Sequence, residues 1–280
     1  MKKMFVTLFL LSTILISAQD ADPNLNKWVP SFVSTLNISQ IALENWTKGG
    51  DNSLAFSLTG DFYFDYKSED WTSKNQLKAS YGRTKLGKDE IRTTDNDLYI
   101  ENVISRQLGW VVDPYFSNIL RTQLTEGFDY KVIPKLIIAD FFDPGYITQS
   151  LGFTYNKSAI IQTRLGIAIQ ETFTKELTGY SDDPETLNEV EDYRLQTGVE
   201  SVTDVKKIIA ENIQYTGKLR LFSRFETIDV WDVRWDNAFT AKVNNWLNVN
   251  MTVVLIHEVA QSKRTQLKEA LQIGFVYTIF

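Results

Sequence analysis

Charged side chains alternate with apolar ones along two neighbouring stretches, 213–225 and 229–242. In each stretch the even positions carry most of the charge, while the odd positions are largely apolar. The charged residues that form the predicted ladder are Lys218, Arg220, Arg224, Asp232, Arg234 and Asp236. Charges of both signs on one face can bind or select ions. The pattern therefore predicts electrostatic rather than covalent chemistry.

Pairing the two stretches about a turn near Thr227 places Arg220 opposite Arg234 and Lys218 opposite Asp236, with Arg164 on the charged face of another stretch. Such a ladder has two interpretations. It can be a constriction that selects anions or polar solutes. It can also be a salt-bridged plug, because charges buried with little water must pair. We favour the plug or a very narrow pore.

Residues for covalent catalysis are scarce. His257 is the only histidine, and Ser262 is close to it in sequence, which raises the possibility of a surface lipase. No G-x-S-x-G stretch or other catalytic serine motif accompanies them. We expect His257 to be a polar residue tolerated at an interface, and we expect neither an enzyme nor a bound cofactor.

A strongly acidic stretch covers residues 171–192. Its acids are Glu171, Glu176, Asp182, Asp183, Glu185, Glu189, Glu191 and Asp192, against the single basic residue Lys175. Calcium needs six to eight oxygens at set positions, and no D-x-D-x-D-G spacing is present. We expect a solvated extracellular loop without a metal site. Divalent bridging to anionic surface lipid is the alternative.

Strands must position these residues, because the alternation has a period of two. Twelve such stretches occur, at about 32–43, 53–66, 71–83, 96–107, 115–126, 146–156, 160–172, 193–204, 208–224, 229–242, 246–258 and 265–280. Several reach the roughly 9–11 residues with which a tilted strand crosses a bilayer, whereas soluble strands average about 5–6. The sequence predicts an all-β, transmembrane, antiparallel up-and-down β-barrel of about twelve strands. A soluble periplasmic β protein is the alternative.

The predicted connections alternate in length, as they do in outer-membrane barrels with long outer loops and short periplasmic turns. We expect long ones at 44–52, 84–95, 127–145, 173–192, 225–228 and 259–264. The short ones include 67–70, 156–159 and a turn near 204–207. Aromatic residues should form two girdles. We expect Phe64, Tyr66, Trp71, Tyr155 and Tyr277 in the periplasmic girdle, and Tyr81, Tyr193, Trp231 and Trp235 in the outer one.

The N-terminus carries two lysines, an apolar run and Ala18, which predicts a secretory signal peptide over 1–18. We expect a periplasmic segment over 19–31 and the barrel over 32–280. The chain has no cysteine, so disulfides cannot hold it. Acidic residues outnumber basic ones, 35 against 29, which disfavours a nucleic-acid partner.

The last residues, "QIGFVYTIF", combine Gly274, Tyr277, Ile279 and Phe280 at a spacing that resembles the signal read by the machinery that inserts outer-membrane barrels. We therefore expect the barrel-assembly machinery to be a transient partner. A closed sheet would also remove the edge that hydrocarbon does not tolerate.

The stretch "NWTKGGDN" predicts an extracellular hairpin, since paired glycines permit positive φ and Asn or Asp side chains close turns. It contains Asn45, Trp46, Gly49 and Gly50. Trp46 could bind a partner or cover the barrel mouth, and we favour the cover.

Residues 38–156 contain Asn45-Trp46, Gly49-Gly50, "TTDND" at 93–97, "TQLTEGF" at 122–128 and "ADFFDPGY" at 139–146. Together they resemble the family catalogued as domain of unknown function 3078. The resemblance implies a secreted β-barrel of Bacteroidota outer membranes, with no assigned chemistry. We expect a structural or accessory barrel that contacts outer-membrane lipid and lipopolysaccharide, with envelope proteins as possible partners of its loops. A channel for small polar or anionic solutes is the alternative.

Overall fold

The computed structural model describes residues 23–45, 47, 49–183, 186, 189–259, 262 and 264–278. The predicted signal peptide, Trp46, Glu185, Ile279 and Phe280 lie outside the described residues. No helix in the described ranges is long and apolar enough to cross a membrane.

Fourteen strands are described. They are β1 Lys27–Ile41, β2 Ser53–Lys67, β3 Trp71–Leu86, β4 Arg92–Arg106, β5 Asp113–Thr122, β6 Gly127–Asp129, β7 Leu136–Ala139, β8 Gly145–Tyr155, β9 Ile161–Phe173, β10 Tyr193–Ala210, β11 Ile213–Arg224, β12 Trp231–Lys242, β13 Leu247–His257 and β14 Gln266–Thr278. Short 3₁₀ turns occur at Thr178–Tyr180 and Phe225–Thr227.

Twelve of these strands form one closed barrel, in the order β1-β14-β13-β12-β11-β10-β9-β8-β5-β4-β3-β2. Each strand pairs antiparallel with its neighbours in the sequence, apart from the β6–β7 hairpin inserted between β5 and β8. The last strand closes the ring against the first, with Leu36 opposite Phe275. The predicted fold class and strand number are confirmed.

Side chains alternate between the lumen and the outer surface, which is apolar over the middle of the strands. Leu165, Ile167, Leu271 and Leu58 all expose half or more of their surface there. A surface with this many exposed large apolar side chains is favourable in contact with hydrocarbon and unfavourable in contact with water. Aromatic rings lie near the strand ends, where Trp28 stacks on Phe64 with ring centroids 4.5 Å apart.

The two ends of the barrel differ. We call the end with connections 42–52, 123–144 and 174–192 the long-loop end, and the end with connections 68–70 and 211–212 the short-turn end. The remaining long-loop connections are 87–91, 225–230 and 258–265, and the remaining short-turn ones are 107–112, 156–160 and 243–246.

Three predicted boundaries were wrong. The loop expected at 84–95 shrinks to 87–91, because β3 and β4 keep pairing beyond a bulge as far as Thr84 opposite Arg92. The turn expected near 204–207 lies at 211–212, because the polar run there continues β10, with Lys207 opposite Tyr215.

The first strand also begins earlier than expected. Residues 27–31, assigned by the sequence to the segment before the barrel, belong to β1, with Trp28 opposite Tyr66 on β2. Trp28 contacts both Phe64 and Tyr66 through its ring. These aromatic contacts extend the pairing to the short-turn end.

Candidate functional site: the charged lumen

The register of β11 and β12 places Arg220 opposite Arg234 and Lys218 opposite Asp236, the register predicted from the alternation. All four side chains point into the lumen, because the odd-numbered neighbours Leu219 and Trp235 face outward. The ladder is therefore present as a geometric arrangement. Its ion pairs, however, mostly run to other strands.

Glu101 on β4 is the centre of the network. It exposes only 6% of its surface and accepts hydrogen bonds from Arg164 on β9 and Lys218 on β11. The Lys218 ammonium also donates to Tyr99 Oη at 3.2 Å and lies 3.5 Å from the carboxylate of Asp204. A buried carboxylate with two cationic partners is satisfied at low dielectric. Because β4 and β11 lie on nearly opposite walls, these bonds cross the lumen.

A second cluster surrounds Arg220. Its Nε donates to Glu200 Oε1 at 2.7 Å, and its Nη2 donates to Gln170 Oε1 at 2.9 Å and Thr148 Oγ1 at 3.2 Å. Glu200 is fully buried. Four strands, β8 to β11, are thereby joined through one guanidinium inside the barrel.

Arg234 does not pair with a residue of the facing strand β11, where Arg220 is opposite to it. Its Nε donates to Asp236 Oδ2, two residues along the same strand, at 2.9 Å. Arg121 on β5 lies over the ring of Tyr99, with the guanidinium carbon 5.2 Å from the centroid. In the lumen between β4, β5 and β12, Arg234 thus pairs with a carboxylate, while Arg121 stacks on an aromatic ring.

Arg224 and Asp232 are close but not bonded to one another. Asp232 is almost fully buried, and its Oδ1 has no hydrogen-bond partner among the described residues; the same holds for Arg224 Nε. The sequence placed these two residues in the ladder. They lie at its long-loop end, beyond the cross-lumen pairs.

Aromatic rings pack between the charges. Tyr115 exposes 2% of its surface and Phe222 none, and Arg220 lies over the Phe222 ring at 5.5 Å. Tyr115 Oη shares a hydrogen bond of 3.0 Å with Ser150 Oγ and would lie 2.8 Å from a Cβ at Gly166. Gly166 therefore makes the room that the tyrosine occupies. The lumen is packed with side chains on this side of the barrel.

Sequence reasoning missed Glu101, Glu200 and Tyr99. The alternation in 97–103 shows that Tyr99 and Glu101 face the same side as Asp97, opposite Leu98 and Ile100. This signal assigns them to the lumen. It does not reveal their partners, which are 63 and 117 residues away for Glu101.

The described residues of the predicted hairpin "NWTKGGDN" lie at the long-loop end, in the connection 42–52. Asn45, Gly49 and Gly50 adopt positive φ, at 54°, 79° and 113°. Leu43 N donates to Asn52 Oδ1 at 2.6 Å and closes the loop. A pocket of about 680 Å³ lies there, lined by Leu43, Asn45, Thr47, Gly50, Asp51, Asn52, Gly87 and Lys88.

The acidic loop is held by hydrogen bonds to Asp143 of the connection 123–144 and by hydrogen bonds within the loop. The buried Asp143 accepts from the backbone N–H groups of Lys175, Glu176 and Leu177 at 2.8–3.3 Å. Hydrogen bonds from Thr186 and from the backbone lower the pKa of Glu191 to about 2. The described residues contain no group of three or more acidic or histidine side chains placed to hold a metal ion.

The structure does not join His257 and Ser262. His257 Nδ1 shares a hydrogen bond of 3.1 Å with Thr265 Oγ1, while Ser262 Oγ accepts from Arg264 N at 3.1 Å. His257 is opposite Val233 on the outward face. Nucleophile and base are therefore not paired.

The described residues of the predicted insertion signal, Gly274 and Tyr277, lie on β14. Tyr277 faces outward and is exposed, while Gly274 is buried against the lumen. A Cβ at Gly274 would lie 2.7 Å from Asn37 Oδ1, and Asn37 accepts from Asn250 Nδ2 at 3.1 Å. Gly274 thus leaves room for an amide pair across three strands.

The chain is similar, at low TM-score, to solved structures that include the following two. The translocator domain of autotransporter NalP from Neisseria meningitidis is 9% identical, with 89% of this chain and 87% of that chain covered and a TM-score of 0.38. The COG4313 outer membrane channel from Pseudomonas putida F1 is 8% identical, with 92% and 98% covered and a TM-score of 0.39. Similarity at this level transfers no activity to this chain.

Comparison with curated protein sequences gives no match. Residues 38–128 do match a family, so the resemblance noted in the sequence has support up to that residue, whereas the block at 139–146 lies beyond it. The family is described as "Protein of unknown function (DUF3078)", and the match covers about a third of the chain.

Proposed function

We propose that the protein is an outer-membrane barrel with a closed lumen, which works as a structural or accessory platform for other envelope proteins. The observation that carries this proposal is the pairing of Glu101 with Arg164 and Lys218 across the barrel. A channel needs a continuous wet path. Here a buried network and the packed rings of Tyr115 and Phe222 occupy that path.

The membrane location rests on the apolar outer surface and on the aromatic rings near the strand ends. Lipid and lipopolysaccharide then contact the barrel wall, and the barrel-assembly machinery inserts the chain after export by the predicted signal peptide. A Bacteroidota origin, implied by the family resemblance, belongs to the same proposal. The proposed function includes no catalytic activity.

The platform role is supported by apolar side chains at the long-loop end. In the β6–β7 hairpin, Ile133 is 99% exposed and Leu136 is 61% exposed. The hairpin is held in place, since Tyr130 Oη accepts from Thr93 N at 3.1 Å and Tyr180 Oη donates to the carbonyl of Ile138 at 2.9 Å. Large exposed apolar groups on an anchored hairpin are typical of protein interaction sites.

The first test is single-channel conductance of the refolded protein in a planar bilayer, with heat-modifiable gel mobility as the check on folding. A closed barrel passes no steady ohmic steps. Steady steps from the folded wild type would reject the closed lumen. Co-purification after mild detergent extraction tests the platform, and a monomer that retains no partner would count against it.

The alternative is a channel for small polar or anionic solutes. It is favoured by the number of cations that line the lumen, of which Arg121 Nε and Arg224 Nε lack a hydrogen-bond partner among the described residues. If the wild type conducts, replacing Arg220 and Arg234 with alanine should shift the reversal potential toward weaker anion preference. An unchanged reversal potential would reject the ladder as its selectivity element.

A further inference from the structure

A pocket opens at the long-loop end, where β2 begins and β3 ends. It lies between the connections 42–52 and 87–91 and encloses about 680 Å³, within the range of about 300–1,000 Å³ that is typical of small-molecule sites. We call it the loop pocket. Leu43 is the one large apolar side chain among the described residues that line it. The others are Asn45, Thr47, Gly50, Asp51, Asn52, Gly87 and Lys88.

Hydrogen bonds join the two connections that form the loop pocket. Gly87 N donates to the carbonyl of Asn52 at 2.7 Å, and Leu43 N donates to Asn52 Oδ1 at 2.6 Å. Asn52 therefore closes the first connection on itself and ties it to the second. Directly below, Ser53 of β2 is paired with Leu86 of β3. The walls of the pocket are thus attached to the barrel.

Two glycines set the shape of the loop pocket. Gly87 has a φ of +51°, and a Cβ there would lie 3.1 Å from Oδ1 of Asp51. Gly50 has a φ of +113°, and a Cβ there would lie 3.2 Å from Cδ1 of Leu43. Residues with a side chain rarely adopt these backbone conformations. The two walls therefore approach one another where glycine leaves room.

Two side chains of opposite charge line the loop pocket without forming an ion pair. Asp51 and Lys88 are exposed, and neither side chain makes an ion pair or hydrogen bond with the described residues. The residue next to Lys88 differs, because Asp89 pairs with Arg92 at 3.2 Å and does not line the pocket. One carboxylate and one ammonium on the same concave surface are therefore accessible to a ligand.

This mixture of groups selects the chemical class of the ligand. The carboxylate of Asp51 repels an anion such as free phosphate, and the ammonium of Lys88 repels a cation. A neutral ligand with many hydroxyl groups suits both, because a hydroxyl donates to a carboxylate and accepts from an ammonium. The amide of Asn45 and the hydroxyl of Thr47 supply further donors and acceptors. Neutral saccharides have this chemistry.

We propose that the loop pocket binds a neutral saccharide at the outer face of the membrane. The carboxylate of Asp51 accepts hydrogen bonds from ring hydroxyls, and Lys88 donates to another hydroxyl oxygen of the same ligand. Long loops face outward in outer-membrane barrels, so both lipopolysaccharide sugars and free glycans reach this end. The outer position rests on the membrane location in the proposed function, whereas binding itself does not.

Saturation-transfer difference NMR of the refolded barrel, in a detergent without a sugar headgroup, tests the binding directly. Two probes are compared: the neutral trisaccharide maltotriose, and polysaccharide released from lipopolysaccharide by mild acid. We expect saturation transfer to the ring protons of at least one probe, and the stronger signal identifies the source. Silence with both probes would overturn the proposal, and so would displacement of the saccharide by inorganic phosphate at equal concentration.

A matched pair of variants locates the site. Asp51→Ala should weaken binding of the saccharide about tenfold or more, because it removes hydrogen bonds to a charged group. Asp89→Ala is the control, since it removes an exposed acid of the neighbouring connection that pairs with Arg92 outside the pocket. It should bind like the wild type. Equal affinities in the two variants would overturn the proposal.

Failure of the site and failure of the membrane location have different signatures. The NMR measurement uses the purified barrel, and heat-modifiable mobility shows that each variant is folded. A fluorescent conjugate of the same saccharide, added to intact cells, then reports which side the loop pocket faces. Binding to the purified barrel without binding to cells would retain the site and overturn its position at the outer face.

Discussion

Lys218 on β11 and Glu101 on β4 form an ion pair although 117 residues separate them in the chain. The two strands lie on nearly opposite walls of the barrel. Arg164 completes the group from a third strand. One carboxylate therefore ties three strands together through the interior of the barrel.

Replacing Glu101 with glutamine should destabilise the barrel. The substitution preserves shape but leaves the buried cations of Arg164 and Lys218 without their counter-charge, which typically costs about 3–5 kcal/mol. Urea unfolding followed by heat-modifiable mobility measures the loss. Asp204→Asn is the control, because Asp204 is more exposed and its 3.5 Å contact with Lys218 is weaker. Equal losses in both variants would contradict a central role for Glu101.

Removing both ends of the cross-lumen pair should create conductance. The double variant Glu101→Ala, Lys218→Ala empties the middle of the lumen, so we expect ohmic steps that the wild type lacks. The control is Asp95→Ala with Lys268→Ala, an ion pair at the more exposed long-loop end. A silent Glu101 and Lys218 double variant that is demonstrably folded would show that other side chains close the barrel.

Gly274→Ala should weaken the closure of the barrel. The added methyl group would meet Asn37 Oδ1 and Asn250 Nδ2, so the amide bond between them must break or shift. Overpacking and loss of one buried hydrogen bond together cost about 2–4 kcal/mol. The midpoint of thermal unfolding of the purified barrel should fall. A lower membrane yield with an unchanged midpoint would instead assign Gly274 to insertion alone.

Asp143→Ala should loosen the acidic loop without unfolding the barrel. Its carboxylate receives three consecutive backbone N–H groups at the start of the loop, from Lys175 to Leu177. Their loss frees the connection to sample other conformations. Limited proteolysis of cells should then cleave within 174–192 faster, while heat-modifiable mobility stays the same. Asp182→Ala removes only the hydrogen bond from Glu191 N, later in the loop, and should therefore increase cleavage less.

Local alternation was sufficient to predict much of this structure. Hydrophobic period and turn chemistry are encoded in neighbouring residues, so twelve strands and the Arg220–Arg234 register followed from the sequence and are confirmed by the pairing. The same local signals failed where pairing overrode them. Charge at 204–207 suggested a turn, yet cross-strand hydrogen bonds continue β10 to Ala210.

Only closure of the barrel decided which charges meet. The sequence does not predict that Glu101 pairs with Lys218, because this ion pair depends on strand order, strand tilt and the width of the lumen. The sequence by itself determined the barrel and its two faces. The tertiary structure decided which charges meet inside the barrel, because this depends on contacts between distant strands.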